Sequence, residues 1–290
     1  MAKRKSLKDN DNDVSMRDED DSGSDSDVEL VNVEFEWFDP KADVDFHGLK
    51  TLLRQLLDND AQLFDMSALA DLILSQPLLG STVKVDGIET DPYAFLSVLN
   101  ISEHKDKQVI KDLTKYIAQK AASNPSLAPL AQLLAKPENP PAIGLILTER
   151  LINIPAEVVP PMYTMLQEEI SWALEEKEPY NFTHYLILSK TYEEVESKLD
   201  AEESRPQKKK KKTAGSSEKF YFHPEDEVLE RHTLCHGTFE YTHKQAEGAS
   251  DSKRAFQDFG IKPAGSLMLI EEGKFGDAIK AITDYLKPPV

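Results

Sequence analysis

Four of the seven histidines lie between residues 223 and 243, together with the only cysteine of the chain. His223, His232, His236, His243 and Cys235 offer the nitrogen and sulfur ligands that zinc prefers. Their spacing argues against zinc, because on a strand His232 and His236 would share one face and Cys235 would point to the other. The same alternation separates Cys235 from a histidine base. We therefore predict no metal ligand and no catalytic residue in this segment.

Phosphate-binding glycine motifs are also missing from the sequence. It contains no P-loop, no Rossmann fingerprint and no G-x-S-x-G elbow. Residues 245–250, Gln-Ala-Glu-Gly-Ala-Ser, approach the acyl-CoA pattern [RQ]-x-x-G-x-[GA], but they end in serine within a polar stretch. A pyrophosphate also needs backbone donors that converge at a helix N-terminus. We predict no cofactor, and an acyl-CoA-dependent acyltransferase is the enzymatic alternative.

The charge balance favours a basic partner. The 52 acidic and 34 basic side chains give a formal net charge of −18 at pH 7. Residues 1–30 hold 10 acidic and 5 basic side chains, a net −5, so the other 260 residues carry −13. Non-specific affinity for nucleic acids comes from basic side chains that displace counterions, so we expect no direct nucleic-acid contact.

The leader, residues 1–30, separates its charges by sign. Basic residues come first, and seven carboxylates with no base among them follow. With so few apolar residues the leader cannot offset its ordering entropy, and we predict that it is disordered. A basic partner is expected to contact its carboxylates and a later acidic run, namely Asp18, Glu19, Asp20, Asp21, Asp25, Asp27, Glu29, Glu193, Glu194 and Glu196. A tail that only improves solubility is the alternative.

Three serines in the leader are candidate phosphorylation sites. Ser22, Ser24 and Ser26 each precede a carboxylate by three residues, a pattern that acidophilic kinases favour. Phosphorylation would add a charge of about −1.5 to −2 at each serine. It would therefore strengthen attraction to a basic partner.

Two basic clusters are candidate nuclear import signals. One opens the chain, and the other lies in a polar loop predicted at about residues 197–218, where nothing can be buried. Their residues are Lys3, Arg4, Lys5, Lys208, Lys209, Lys210, Lys211 and Lys212. A solvated surface run is the alternative for the loop.

Secreted and membrane-spanning classes are excluded by composition. A sole cysteine cannot form an internal disulfide, which fits a reducing compartment. No apolar run approaches the roughly 20 residues that a membrane-spanning helix needs. The basic start runs into acidic residues without an apolar signal-peptide core. The absence of heptads or an obvious apolar stripe favours a monomer.

Strand and helix patterns alternate along the chain. Strands are predicted at 30–39, 82–85, 93–101, 142–147, 181–188, 219–223, 233–243 and 265–271. Helices are predicted at 46–57 with Asp45 as the cap, and at 65–75, 105–122, 160–176, 225–231 and 273–286. The fold class is α/β, a mixed central sheet flanked by helices, in a single domain of residues 31–290 interrupted by the lysine-rich loop. Two smaller domains are the alternative.

Several segments resemble the BCCIP family, and especially its fungal Bcp-type members. They are Val-Asn-Val-Glu-Phe-Glu at 31–36 with Asp39 behind it, the leucine helix at 45–57, Gly-Ser-Thr-Val-Lys at 80–84 and Phe-Tyr-Phe-His-Pro-Glu-Asp-Glu at 220–227. The resemblance covers essentially the whole chain. It implies an acetyltransferase-like (GNAT-like) fold without an acetyl-CoA site.

The same resemblance implies a non-enzymatic protein of the nucleus that shuttles to the cytoplasm. Family members of this type act as a dedicated chaperone for a basic large-subunit ribosomal protein and support nuclear export of a lipid kinase, with nuclear transport receptors as further partners. We therefore expect an acidic escort that shields one basic protein and supports ribosome biogenesis. A general nuclear adaptor with several partners is the other alternative.

Overall fold

One mixed sheet organises the part of the chain that the structure describes. The structure is a computed structural model, and it describes residues 33–76, 79–135, 142–194, 219–243 and 261–287. The strands are β1 (Glu36–Phe38), β2 (Ser81–Lys84), β3 (Ala94–Asn100), β4 (Ile143–Arg150), β5 (His184–Glu194), β6 (Lys219–Tyr221), β7 (Cys235–Phe239) and β8 (Ile261–Glu271). Their order is β1-β2-β3-β4-β5-β8-β7, and β6 pairs with β5.

Helices cover both faces of this sheet. They are α1 (Ala42–Leu57), α2 (Met66–Leu74), α3 (Gln108–Ser123), α4 (Ala128–Leu134), α5 (Val159–Glu175), α6 (Pro224–Glu230) and α7 (Glu272–Tyr285). Short 3-10 turns lie at Asp58–Leu63, Pro125–Leu127 and Ala156–Val158. No helix in the described ranges is long and apolar enough to cross a membrane.

The sheet is mostly antiparallel. Only β4 and β5 pair in parallel, and every other strand pair in the described residues is antiparallel. A parallel pair requires a crossover, which α5 supplies between β4 and β5. The predicted mixed α/β sheet is confirmed.

Two apolar cores lie on opposite faces of the sheet. On β4, Leu145 faces the core beneath α1 to α4, while its neighbour Ile146 faces the core beneath α5 to α7. On β5, Leu186 and Ile187 divide in the same way. Successive side chains of a strand point to opposite faces, so strands buried on both faces have continuous apolar sequences.

A fully buried ion pair ties α1 to β2. Asp45 Oδ1 lies 2.6 Å from Lys84 Nζ, and both side chains have 0% exposure. Lys84 Nζ also donates to the Ile88 carbonyl at 2.6 Å. The second Asp45 oxygen accepts a hydrogen bond from the backbone N–H of Lys41 at 2.7 Å. Each charged group therefore finds partners without water.

Some predicted boundaries are wrong. Helix α1 starts at Ala42, so Asp45 lies one turn inside the helix and is not its N-cap. Helix α4 was not predicted, because residues 127–141 contain several prolines. Pro129 lies in the first turn of α4, where an N–H group has no helical partner in any case.

The other elements were predicted to within about four residues, with two exceptions. β1 begins at Glu36, so residues 33–35 of the predicted strand lie outside it, and β5 continues to Glu194, six residues beyond its predicted end. That extension pairs with β8 along its whole length, and a partner strand this distant in sequence was not visible in the pattern. The leader and the lysine-rich loop lie outside the described residues, so the predicted domain division stays a prediction.

Candidate functional site

The two parallel strands separate halfway along the sheet. Their pairing runs from Ile143 opposite His184 to Leu147 opposite Leu188. Beyond that point the last three residues of β4 pair only with β3, while β5 continues against β8 and β6. A gap therefore opens between the two strand ends, and buried polar side chains fill it.

We call these side chains the charged cluster: Glu149 and Arg150 of β4, Ser189 and Lys190 of β5, and His223, Glu225 and Asp226 at the start of α6. Each is no more than 8% exposed. Burial of so many ionisable groups would destabilise the fold unless the groups were paired with one another. Their hydrogen bonds therefore determine what the cluster can do.

Glu149 is the acceptor at the centre of the charged cluster. Its carboxylate lies 2.5 Å from Lys190 Nζ, 3.2 Å from His223 Nε2 and 3.1 Å from the amide nitrogen of Gln55 on α1. Burial alone would raise the pKa of Glu149, but the hydrogen bond from His223 and the charge of Lys190 hold it below its usual value. Burial lowers the pKa of His223, but its contact with Glu149 and the charges of Asp226 and Glu225 outweigh burial and raise it. Glu149 thus links α1, β4, β5 and the start of α6.

The remaining members form two further contacts. The Arg150 guanidinium binds both oxygens of Glu225, with Nη2 lying 3.2 Å from Oε2. The hydroxyl of Ser189 donates to Asp226 Oδ2 at 2.5 Å. Burial, the largest influence, raises the pKa of Asp226 from 3.8 to about 7, although His223 lowers it. The charged cluster can therefore hold a proton near neutral pH.

A cavity of about 830 Å³ lies beside the charged cluster. Its wall includes Glu149, Lys190 and His223 and the apolar Phe222, Ile261 and Pro263. This volume is within the usual range for ligand pockets. The described residues contain no group of three metal-ligating side chains that could hold an ion.

The edge of β4 that faces the gap is already closed by side chains. Gln55 Nε2 donates to the Arg150 carbonyl at 2.8 Å, and the Arg150 N–H donates to Glu149 Oε1 at 3.1 Å. A peptide or a cofactor amide approaching this edge would find both backbone groups of Arg150 occupied. The arrangement favours a structural link over a strand-pairing ligand site.

The structure brings only a few of the predicted site residues near this gap. Glu193 and Glu194 are the last residues of β5, beyond Lys190, where Glu193 is half-buried and Glu194 is exposed. Glu196, the leader carboxylates Asp18 to Glu29, the serines Ser22, Ser24 and Ser26, and both basic clusters lie outside the described residues. Their predicted roles stay predictions.

Three of the four clustered histidines contact different carboxylates. His223 belongs to the charged cluster, while His236 Nε2 lies 3.5 Å from Glu230 and His243 Nδ1 lies 3.2 Å from Asp60. Cys235 is buried, and burial raises the pKa of its thiol, which suppresses the nucleophilic thiolate.

Sequence reasoning missed the charged cluster. A usable signal was present, because Glu149-Arg150 and Ser189-Lys190 lie at the ends of the apolar runs of two neighbouring strands. Their partners lie at the start of α6, about thirty residues after β5 ends. No spacing rule relates the two regions.

Comparison with known proteins identifies the family. The BCCIP family model matches residues 30–229. The chain belongs to the BCCIP family. Protein bcp1 of Aspergillus fumigatus is 70% identical over 292 residues and covers 100% of both chains. Protein bcp1 of Schizosaccharomyces pombe is 49% identical, with 88% of this chain and 90% of that protein covered.

A solved structure extends the BCCIP-family comparison to the fold. The crystal structure of BCP1 from Saccharomyces cerevisiae matches with a TM-score of 0.59 and 27% identity. The match covers 92% of this chain and 97% of that one. The predicted membership of the BCCIP family is confirmed, and the names of the family and these relatives describe no enzymatic activity.

Proposed function

We propose that this BCCIP-family chain is a non-enzymatic acidic chaperone that binds and shields a basic protein of the large ribosomal subunit. Its place would be the nucleus, with shuttling to the cytoplasm through transport receptors, in support of ribosome biogenesis. Export of a lipid kinase belongs to the same proposal. The observation that carries it is the net charge of −13 outside the leader, which places most of the acidity on residues 31–290.

Electrostatics supplies a mechanism for such an escort. A ribosomal protein has cationic surfaces suited to RNA, and an acidic protein can cover them and suppress unspecific association. RNA presents a denser array of phosphates than a carboxylate surface does, and its binding also releases counterions. Assembly with RNA would therefore displace the escort without an energy source.

The acyltransferase alternative is disfavoured by the helix that follows β4. An acetyltransferase-like fold is the finer part of our proposal, and such an enzyme would need N–H donors for a pyrophosphate. Helix α5 begins Val-Pro-Pro, and Pro160 and Pro161 have no N–H to donate. Helix α6 has Glu225, Asp226 and Glu227 in its first turn, where their charge repels phosphate.

Calorimetric titration with acetyl-CoA tests this alternative directly. We expect no binding heat up to millimolar ligand, because neither helix start offers a suitable anion site. Micromolar binding would favour the acyltransferase over the escort. Desulfo-CoA serves as a control for binding that depends only on the nucleotide.

Salt and leader deletion test the escort itself. The tagged protein should retain one basic large-subunit ribosomal protein in near-stoichiometric amount at moderate salt, as quantified by mass spectrometry. Binding should weaken as salt rises, because exposed charges are screened within about 10 Å at 0.1 M. It should also survive removal of residues 1–29, since the remaining chain is still strongly acidic.

Other outcomes point elsewhere. Complete loss of binding on deletion of the leader would contradict the role of the folded residues. A diffuse set of partners at low occupancy would favour the general adaptor. A variant with the serines Ser22, Ser24 and Ser26 changed to alanine controls for phosphorylation in the purified material.

A further inference from the structure

Helix α5 has one packed face and one exposed face. The packed face fills the core beneath the sheet with Met162, Tyr163, Leu166, Ile170 and Ala173. The exposed face carries Glu168, Trp172, Glu175 and Glu176, which recur at intervals of three or four residues and so share one side of the helix. We call these four residues the α5 outer face.

Trp172 is the unusual member of this face. Its side chain is 58% exposed, although tryptophan buries more apolar area than any other residue type when it is packed. The other tryptophan, Trp37, is partly buried and donates from Nε1 to the Val158 carbonyl at 3.2 Å. An exposed tryptophan is typical of binding surfaces, where its ring acts as an anchor.

The carboxylates around Trp172 have no cationic partner in the part of the chain that the structure describes. Among the described residues, Glu168, Glu175 and Glu176 form no ion pair within 4 Å, whereas fourteen other pairs are formed elsewhere. Two of them lie at the C-terminal end of α5, where the helix dipole is itself negative. The helix dipole would favour lysine or arginine in the last turn, so the glutamates there cost stability and add negative charge, which the exposed Lys177 directly after Glu176 offsets only in part.

The pKa of Glu169 is raised by burial and partly by the same negative charges. Glu169 is buried on the adjacent side of α5 and accepts the Gly80 N–H at 2.7 Å. Burial raises its pKa most, and the charges of Asp39 and Glu168 raise it further. Negative potential therefore extends along this side of the helix.

We propose that the α5 outer face is the docking surface for a segment rich in lysine and arginine on the basic protein. This inference rests on the proposed function and deepens it. A guanidinium or ammonium group would stack on the ring of Trp172 while its charge is matched by Glu168, Glu175 and Glu176. The surface lies on the same side of the sheet as α7, away from helices α1 to α4.

The test uses the full-length chain and a fluorescein-labelled peptide of 18 residues that repeats Arg-Lys-Gly. Fluorescence anisotropy gives the affinity of the peptide for the wild type, for Trp172→Ala and for the triple variant Glu168→Gln, Glu175→Gln, Glu176→Gln. A matched triple variant on the opposite face, Asp43→Asn, Asp71→Asn, Asp106→Asn, removes the same charge from exposed positions. All four proteins are first compared by thermal unfolding.

We expect each α5 variant to weaken peptide binding at least tenfold and the opposite-face variant to weaken it less than threefold. Equal weakening by both triple variants would show unspecific attraction and overturn the inference. An α5 triple variant that binds as the wild type does would also overturn it. If the wild type itself does not bind the peptide or a purified basic ribosomal protein, the proposed function fails first, and the two failures are thereby distinguished.

A second readout locates the contact. In a Trp37→Phe variant, Trp172 is the only tryptophan, because the chain has two. Its emission should shift when the peptide binds, and an unchanged spectrum at saturation would place the peptide elsewhere. Self-association through this face is the other possible outcome. Light scattering without peptide would then show a mass that increases with protein concentration in the wild type and not in Trp172→Ala. That result would also overturn the inference.

Discussion

Replacement of Asp45 by alanine is expected to lower the free energy of unfolding by about 3–5 kcal/mol, the usual range for breaking a buried ion pair. The substitution leaves the Lys84 ammonium without its carboxylate at a position with 0% exposure. The Ile88 carbonyl and the face of the Phe38 ring would remain as its partners, and neither carries a negative charge. It also removes the acceptor of the Lys41 N–H at the start of α1. Urea unfolding followed by tryptophan fluorescence measures the change.

The double variant Asp45→Ala, Lys84→Met separates charge from packing. Removal of the orphaned ammonium should restore a large part of the lost stability, because a buried pair is often replaceable by apolar groups. An exposed pair, Lys287 with Asp284, provides the control, and Asp284→Ala should leave the urea midpoint close to that of the wild type. A loss below about 1 kcal/mol in Asp45→Ala would contradict the structural role of the buried pair.

A second large effect is expected from Asp226→Asn, and it should depend on pH. Burial raises the pKa of Asp226 to about 7 in the folded protein, against 3.8 ordinarily. Between these pH values the folded state keeps a proton that the unfolded state releases, so stability due to Asp226 falls as pH rises from about 4 to about 7. Asparagine has no such proton, and its amide oxygen can still accept from Ser189.

The variant should therefore gain stability relative to the wild type as pH rises. The rise in pKa from 3.8 to about 7 corresponds to about 4 kcal/mol. The free energy of unfolding of the variant should therefore increase by about this amount relative to the wild type between pH 4 and pH 8, and should increase no further above pH 8. Urea unfolding of both proteins at intervals across this range measures the difference. The groups that face Asp226 are His223, Glu225, Arg150, Tyr163 and Ser189.

An exposed carboxylate gives the control for this pH dependence. Asp71→Asn on α2, measured over the same pH range, controls for the removal of one carboxylate from an exposed position. If the stability difference between Asp226→Asn and the wild type does not change with pH, Asp226 is not held protonated by its surroundings. A loss of stability that grows with pH would show that the carboxylate is favoured in its charged form.

Much of the fold was predictable because local patterns and tertiary packing agree. The nearly continuous apolar run of β3 and the leucine spacing of α1 reflect surfaces that are in fact buried. The helix predicted at 65–75 does begin at this point, and the Asp65 carboxylate accepts hydrogen bonds from the N–H groups of Ser67 and Ala68. In these places residues close together in the sequence are enough to determine the local secondary structure.

The gap between β4 and β5 was not predictable in this way. Its existence depends on where two strands stop pairing, and that depends on β8 and on the start of α6. Glu149 resembles any other carboxylate in the sequence until His223 and Lys190 are brought to it. Asp45 illustrates the same limit, since its true partner lies on a strand 39 residues away. The α5 outer face was not predictable either. Whether a side chain is exposed and without an ion-pair partner depends on how the whole surface is assembled.

The central position of β5 has a consequence for the integrity of the molecule. Its eleven residues pair with β8 along one edge and with β4 and then β6 along the other. Residues 219–287 thus supply neighbours on both sides of a strand that belongs to residues 142–194. If a protease cut the chain between these two portions, the two fragments would stay associated. Each fragment has a strand edge and an apolar face that are covered only by the other fragment. The two portions are complementary, and the contacts between them, more than the chain that links them, hold the fold together.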